Sequence, residues 1–276
     1  MRDIRNESTT ELLARALELS RGDPVGETHE RWDVIVELHR RPEEVVARKA
    51  LGWCSSEDPI EQVLGIDILG QLGFAEGRLP FREESLPVLE GLLSEHDERV
   101  VASTLIAIHH FGPAESLWKV VRLAAHASAD VRYAVAFAVS GQSDPRAVST
   151  LIELSSDSAP SVRDWATFGL GSQIDDDSPE IRDALLGGVG DPHPDTRAEA
   201  LSGLVKRQDA RVVAPLKKAL KLPSVGTLEV QAAADVADPA LLPELEALKS
   251  WWDVDTSLLE EAIARCRAAR RSGTLV

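Results

Sequence analysis

The sequence predicts an all-α protein, a right-handed α–α superhelix of about eight helical hairpins. Two observations carry this expectation. The first is composition. Apolar residues make up 43% of the 276, yet aromatics only 4%. A chain rich in Ala and Leu suits helices better than the aromatic and β-branched strands of a sandwich or barrel. The second is an internal repeat. Segments 129–135, 160–166, 194–200 and, more weakly, 226–232 place an apolar residue or Thr before a usual Arg. A small or apolar residue follows three further on, and Val139, Leu170 and Leu204 stand seven beyond the Arg. Extending this frame outward gives reference positions 31, 62, 101, 132, 163, 197, 229 and 260, spaced by 31, 39, 31, 31, 34, 32 and 31.

Each repeat reads as two helices. Around the reference position, −1, +3, +6 and +7 fall on one face at about 100° per residue, which defines the buried side of the second helix. An apolar stretch precedes it and forms the first helix: Val148, Leu151, Ile152 and Leu154; Ile181, Leu185 and Leu186; Val212, Val213, Leu216 and Leu220; Leu241, Leu242, Leu245 and Leu248. Asp144, Asp177, Asp209 and Asp238 open these stretches, and an Asp carboxylate there accepts from free backbone N–H groups. Pro145, Pro179 and Pro239 suit the first helical turn. Pro160, Pro192, Pro194 and Pro223 are expected in the turns between paired helices, where they prevent one continuous helix.

A single solenoid over 1–276 is expected, with 1–40 as an N-terminal capping repeat and 251–276 as a C-terminal capping helix and tail, and with Trp251 and Trp252 closing its last layer. The spacing of 39 contains an insertion at 74–81 that carries Phe74 and Phe81. The spacing of 34 contains Asp175-Asp176-Asp177, read as a solvated loop ending in a helix cap.

Charge narrows the function classes. With 30 basic against 46 acidic residues, the formal net charge is −16. That argues against a nucleic-acid groove or an anionic-lipid surface and leaves open either a basic protein partner or a highly soluble scaffold. No apolar run is long enough to span a membrane, and residues 1–7 hold no apolar leader core. Cys54 and Cys266 fit neither a zinc nor a disulfide pattern, so a cytoplasmic location is expected.

No catalytic set is legible. There is no phosphate-binding glycine loop. His96, His109 and His110 are read as surface or edge histidines, because adjacent helix residues point about 100° apart. Asp175-Asp176-Asp177 lacks the alternation of a calcium loop. Neither metal nor cofactor is expected. The basic run from Arg265 to Arg271 sits where positive charge offsets the end of a helix dipole.

Positions +1 and +5 of the second helix lie opposite the buried face. They hold Tyr133 and Phe137 in one repeat and Asp164 and Phe168 in the next, with Trp165 beside them. Exposed, these residues would form a protein-binding patch. Packed between repeats, they would be core. An enzymatic alternative rests on Asp164 next to Trp165.

The repeat resembles the HEAT family in its short form, also found in phycobilin lyases. The resemblance rests on the acid six residues before the Arg, on the Arg itself, and on the glycine ending the second helix. Asp157/Arg163 and Asp191/Arg197 keep the pair, and Gly171 and Gly70 the glycine. Glu95 has no Arg partner, and His126 replaces the acid before Arg132. The resemblance implies a structural ladder through Asp157, Arg163, Asp191 and Arg197, and a concave second-helix face open to a protein partner. Its enzymatic members fit less well: deoxyhypusine hydroxylase uses several His-Glu dipeptides where only His29-Glu30 occurs, and an alkylbase DNA glycosylase needs a basic groove. Over the last 150 or so residues, motifs such as Val162-Arg163, Trp165-Ala166 and Ile181-Arg182-Asp183 resemble bacterial HEAT-repeat proteins encoded beside Rhs toxins. That resemblance implies an immunity role, neutralising a toxin domain.

Overall fold

Every reference position of the repeat falls in an even-numbered helix of the chain. The computed structural model describes residues 4–23 and 29–272. Residues 1–3 and 24–28 of the expected N-terminal cap, and 273–276 of the expected tail, lie outside the described residues. In order the helices are α1 (Thr9–Gly22), α2 (His29–His39), α3 (Glu44–Cys54), α4 (Pro59–Gln71), α5 (Arg82–Leu92), α6 (Glu98–Phe111), α7 (Leu117–Val120) and α8 (Ala129–Val139). They continue with α9 (Pro145–Leu154), α10 (Pro160–Phe168), α11 (Pro179–Gly188), α12 (Pro194–Lys206), α13 (Val213–Ala219), α14 (Thr227–Val236), α15 (Leu242–Leu248) and α16 (Thr256–Ser272). Among the described residues there is no strand. The fold is an all-α solenoid of helical hairpins.

The chain divides into two compact units, Met1–Val139 and Ser140–Val276. Each holds four hairpins. Within the first, α2, α4, α6 and α8 pack in succession; within the second, α10, α12, α14 and α16 do so. The +7 residues lie in these layers: Leu38, Leu69, Ile108 and Val139 are buried in the first unit, Leu170 and Leu204 in the second. Helix lines come very close in the second layer. A methyl group built on Gly203 would lie 2.7 Å from the Cα of Gly171, so neither glycine has room for a side chain.

Local chemistry sets most boundaries. Asp144, Asp209 and Asp238 accept from the backbone N–H groups of Arg146, Arg211 and Ala240. Asp58 and Asp97 cap α4 and α6 in the same way. Asp177 is a correction. Ser178 caps α11, its hydroxyl accepting from the N–H of Ile181. The Asp177 carboxylate instead takes a two-pronged bond from Arg182 at 2.6 and 2.7 Å. Pro160 and Pro194 also differ from expectation, since they are the first residues of α10 and α12. Proline lacks the N–H that the first turn would leave unpaired.

The 74–81 insertion begins with a short 3₁₀ turn, Phe74–Glu76, bounded by Gly73 and Gly77, both with positive φ. Phe74 is 59% exposed. At the other end, Trp252 is buried and its indole N–H donates to the carbonyl of Val225 at 2.9 Å. Trp251 is 49% exposed, so it does not close the last layer. Cys54 and Cys266 are both buried and free. No described helix is long and apolar enough to cross a membrane.

Candidate functional site

Asp157 and Asp191 lie in the turns that join paired helices, and Arg163 and Arg197 in the first turns of α10 and α12 that follow them. Arg163 Nη1 donates to the carbonyls of Asp157 and Ser158 at 2.9 and 3.2 Å, closing its own turn. Its Nε and Nη2 reach forward to the carboxylate of Asp191, in the next repeat, at 2.7 and 3.1 Å. Arg197 repeats the move. It donates to the carbonyl of Asp191 at 3.1 Å and to the hydroxyl of Ser224 at 2.9 Å. Each Arg thus takes backbone from its own turn and a side chain from the following one. The Asp157 carboxylate accepts from the N–H of Ala159, and that of Asp191 from His193, which shapes both turns.

Hydrogen bonds from Arg163 hold the Asp191 carboxyl below its ordinary range. Its folded pKa is therefore lower than its unfolded one. The resulting stability is complete above the unfolded value, about 3.9, and is lost as pH falls through the folded value. Asp191→Asn should cost about 1 kcal/mol at neutral pH and flatten the stability curve below about pH 4, as read by urea unfolding.

On the second-helix face of the first unit, Tyr133 and Phe137 are half-buried on α8. The Phe137 ring lies 4.5 Å from that of His109 and 6.2 Å from that of His110, both on α6. The two histidines are thus half-buried partners of an aromatic cluster. Burial holds both imidazoles below their usual pKa, and His109 adds to the effect on His110.

In the second unit Trp165 and Phe168 are half-buried on α10, their rings 5.3 Å apart. Asp164 beside them accepts from the hydroxyl of Thr196 at 3.3 Å and faces Nδ1 of His193 at 3.9 Å. Burial pushes its carboxyl up. Asp164, His193 and Asp195 offer ligand atoms within 4.8 Å of one another, and among the described residues they are the group that could hold a cation. Two of them open α12, where the helix's partial positive charge opposes one.

Two groups escaped the sequence reading. Arg207 is buried just beyond α12. It donates to the carbonyls of Leu170 (2.7 Å), Gly171 (3.4 Å), Ile174 (3.3 Å), Asp176 (2.8 and 3.0 Å) and Gly203 (3.1 Å). It thereby holds the π-helical end of α10 and the Asp175–177 loop. The loop's exposed Asp175 pairs with Lys206 at 2.7 Å. The other group is Trp32 with Asp67, at +1 and +5 of the first two repeats. The same frame that singled out Tyr133 and Phe137 selects them.

Comparison with known proteins agrees with this architecture. Residues 148–237 match the family model of HEAT repeats, and 131–157 that of the PBS lyase HEAT-like repeat. Protein YibA of Escherichia coli (strain K12) is 28% identical over 237 residues, 83% of each chain. The X-ray structure of the Escherichia coli YibA protein superposes with a TM-score of 0.75 at 26% identity, covering 96% of this chain and 94% of that one. A crystallised engineered protein, 16% identical with a TM-score of 0.54 over 91% of this chain and 76% of its own, shares the fold.

Proposed function

We propose that this HEAT-repeat protein is a non-catalytic interaction module that binds another protein on its second-helix face. HEAT repeats generally mediate protein–protein interaction, and the observation that supports the assignment here is the set of aromatics at or beside positions +1 and +5 of two second helices. Tyr133 and Phe137 lie on the first unit, and Asp164, Trp165 and Phe168 on the second. All are half-buried rather than sealed in the core. Half-buried aromatics are pre-ordered by their neighbours and lose little entropy on binding, which is the character of an anchor. The net charge of −16 favours a basic partner, speeding encounter at low salt. An immunity role is the special case in which that partner is a basic toxin domain.

The test is a pull-down from the native host, followed by binding kinetics with the recovered protein. Tyr133→Ala and Phe168→Ala should each raise the dissociation rate about tenfold or more while circular dichroism stays unchanged. Raising the salt should slow association and leave dissociation nearly constant. Loss of helicity along with binding would identify these side chains as core. Full affinity in both variants would place the interface elsewhere, with exposed Phe74 the next surface to probe.

A further inference from the structure

A cleft of about 270 Å³ opens on the second-helix face of the first unit, bounded by α1, α2, α4 and α6. Its floor is an ion pair. Arg31 is only 4% exposed and donates from Nη2 to Asp67 Oδ2 at 2.6 Å and from Nε to the hydroxyl of Ser20 at 3.0 Å. Asp67 takes a further hydrogen bond from Ser103. One wall is Trp32, 41% exposed, with the Arg31 guanidinium 5.1 Å from its ring. The opposite walls are apolar: Ile60, Val63, Ala102 and Ile106. Asp23, Glu98 and Asp130 stand at the rim. Four carboxylates therefore face two guanidiniums, and both guanidiniums are already engaged: Arg31 with Asp67, and Arg99 with Asp97 at 2.6 Å.

We propose that this cleft receives one arginine or lysine side chain of the partner, an inference that rests on the protein-binding reading above. A long cationic side chain is the chemistry that matches every wall. Its methylene stem lies along the aliphatic side chains while its head reaches the carboxylates. The Trp32 ring, partly exposed and already carrying the Arg31 guanidinium, attracts a further cation through its quadrupole. The rim and the whole-chain charge of −16 draw the cation in. An anion would meet excess carboxylate with no uncommitted guanidinium to receive it, and an apolar plug would desolvate charged groups without replacing their water. The volume is below that of usual small-molecule pockets, which begin near about 300 Å³, and suits a single side chain rather than a cofactor.

The probe is a fluorescein-labelled peptide of alternating Gly, Ser and Arg, with a control in which each Arg is the neutral isostere citrulline. Fluorescence anisotropy at low salt should show the Arg peptide binding at least about tenfold more tightly than the citrulline peptide. Trp32→Ala should weaken the Arg peptide about threefold to fivefold, the size of an exposed cation–π contact. The double variant Glu98→Gln/Asp130→Asn, which leaves the buried ion pair intact, should weaken it by a similar factor with unchanged melting temperature. Failure of the Arg peptide to bind, equal binding of both peptides, or full affinity in both variants would overturn the proposal. If the cleft fails while Tyr133→Ala still releases a captured partner, the protein-binding reading stands. If the cleft binds the Arg peptide but no specific protein partner is recovered from the host, that reading fails and the cleft remains.

Discussion

Leu204→Ala is expected to destabilise the protein by about 2–5 kcal/mol, and Leu170→Ala by a similar amount. Both side chains are fully buried seven residues beyond a ladder Arg. Removing a buried Leu costs its transfer free energy and leaves a cavity whose penalty depends on how far the surroundings collapse. Little collapse is available here. The α10 end and α12 are already in backbone contact at Gly171 and Gly203, and both are tied by Arg207. These variants should therefore fall in the upper part of the range. Arg163→Ala removes hydrogen bonds to two turn carbonyls and to Asp191 from a partly exposed site, so about 1–2 kcal/mol is expected. Urea unfolding of the three variants under one condition gives the order. A larger cost for Arg163→Ala than for Leu204→Ala would mean that the turns, not the Leu layers, hold neighbouring repeats together.

How much of this was legible follows from what kind of signal each feature leaves. The helical period leaves apolar residues at fixed offsets, so all eight second helices and the burial of Leu38, Leu170 and Leu204 were readable. Capping leaves a residue type but a position good only to one residue. Asp177 and Ser178 are both able caps, and the serine, next to Pro179, took the place. Trp251 and Trp252 are chemically identical and differ only in which one reaches the Val225 carbonyl. The aromatic face was half visible: the frame turned Tyr133, Phe137 and Phe168 away from the core, but the pairing of Phe137 with His109 joins helices 28 residues apart. The same frame applied to the first two repeats would have brought Trp32 and Asp67 forward. Their ion-pair partner Arg31 stands at the ladder position, yet it bonds Asp67 and Ser20 rather than a turn. Arg207 leaves no trace at all, because its acceptors are main-chain carbonyls, which every residue carries.

That hidden arginine supports the other large expected effect. Arg207→Met should cost at least about 3 kcal/mol, although Met matches the length of the stem and avoids a large cavity. The guanidinium bonds five carbonyls, two of them, Leu170 and Gly171, on the π-helical segment that follows α10. The segment ends at the extended Ile174, so its last carbonyls have no following helical N–H and depend on an outside donor. With the donor gone, each carbonyl left buried pays a desolvation penalty of about 1–3 kcal/mol, except where the loop opens to water. The Asp175–177 stretch lies at the surface and can open to water, while Lys206 still donates to the Ile174 carbonyl at 3.1 Å and the α10 end stays locked against Gly203. Hydrogen exchange should therefore speed up over 174–178, and the loss of global stability should come from Leu170 and Gly171. Arg207→Lys should recover less than half, because a single ammonium has three donors and cannot span acceptors on α12, the π turn and the loop together. A cost below about 1 kcal/mol for Arg207→Met would show that water replaces the guanidinium along the whole segment, and that the close approach of Gly171 and Gly203 holds without it.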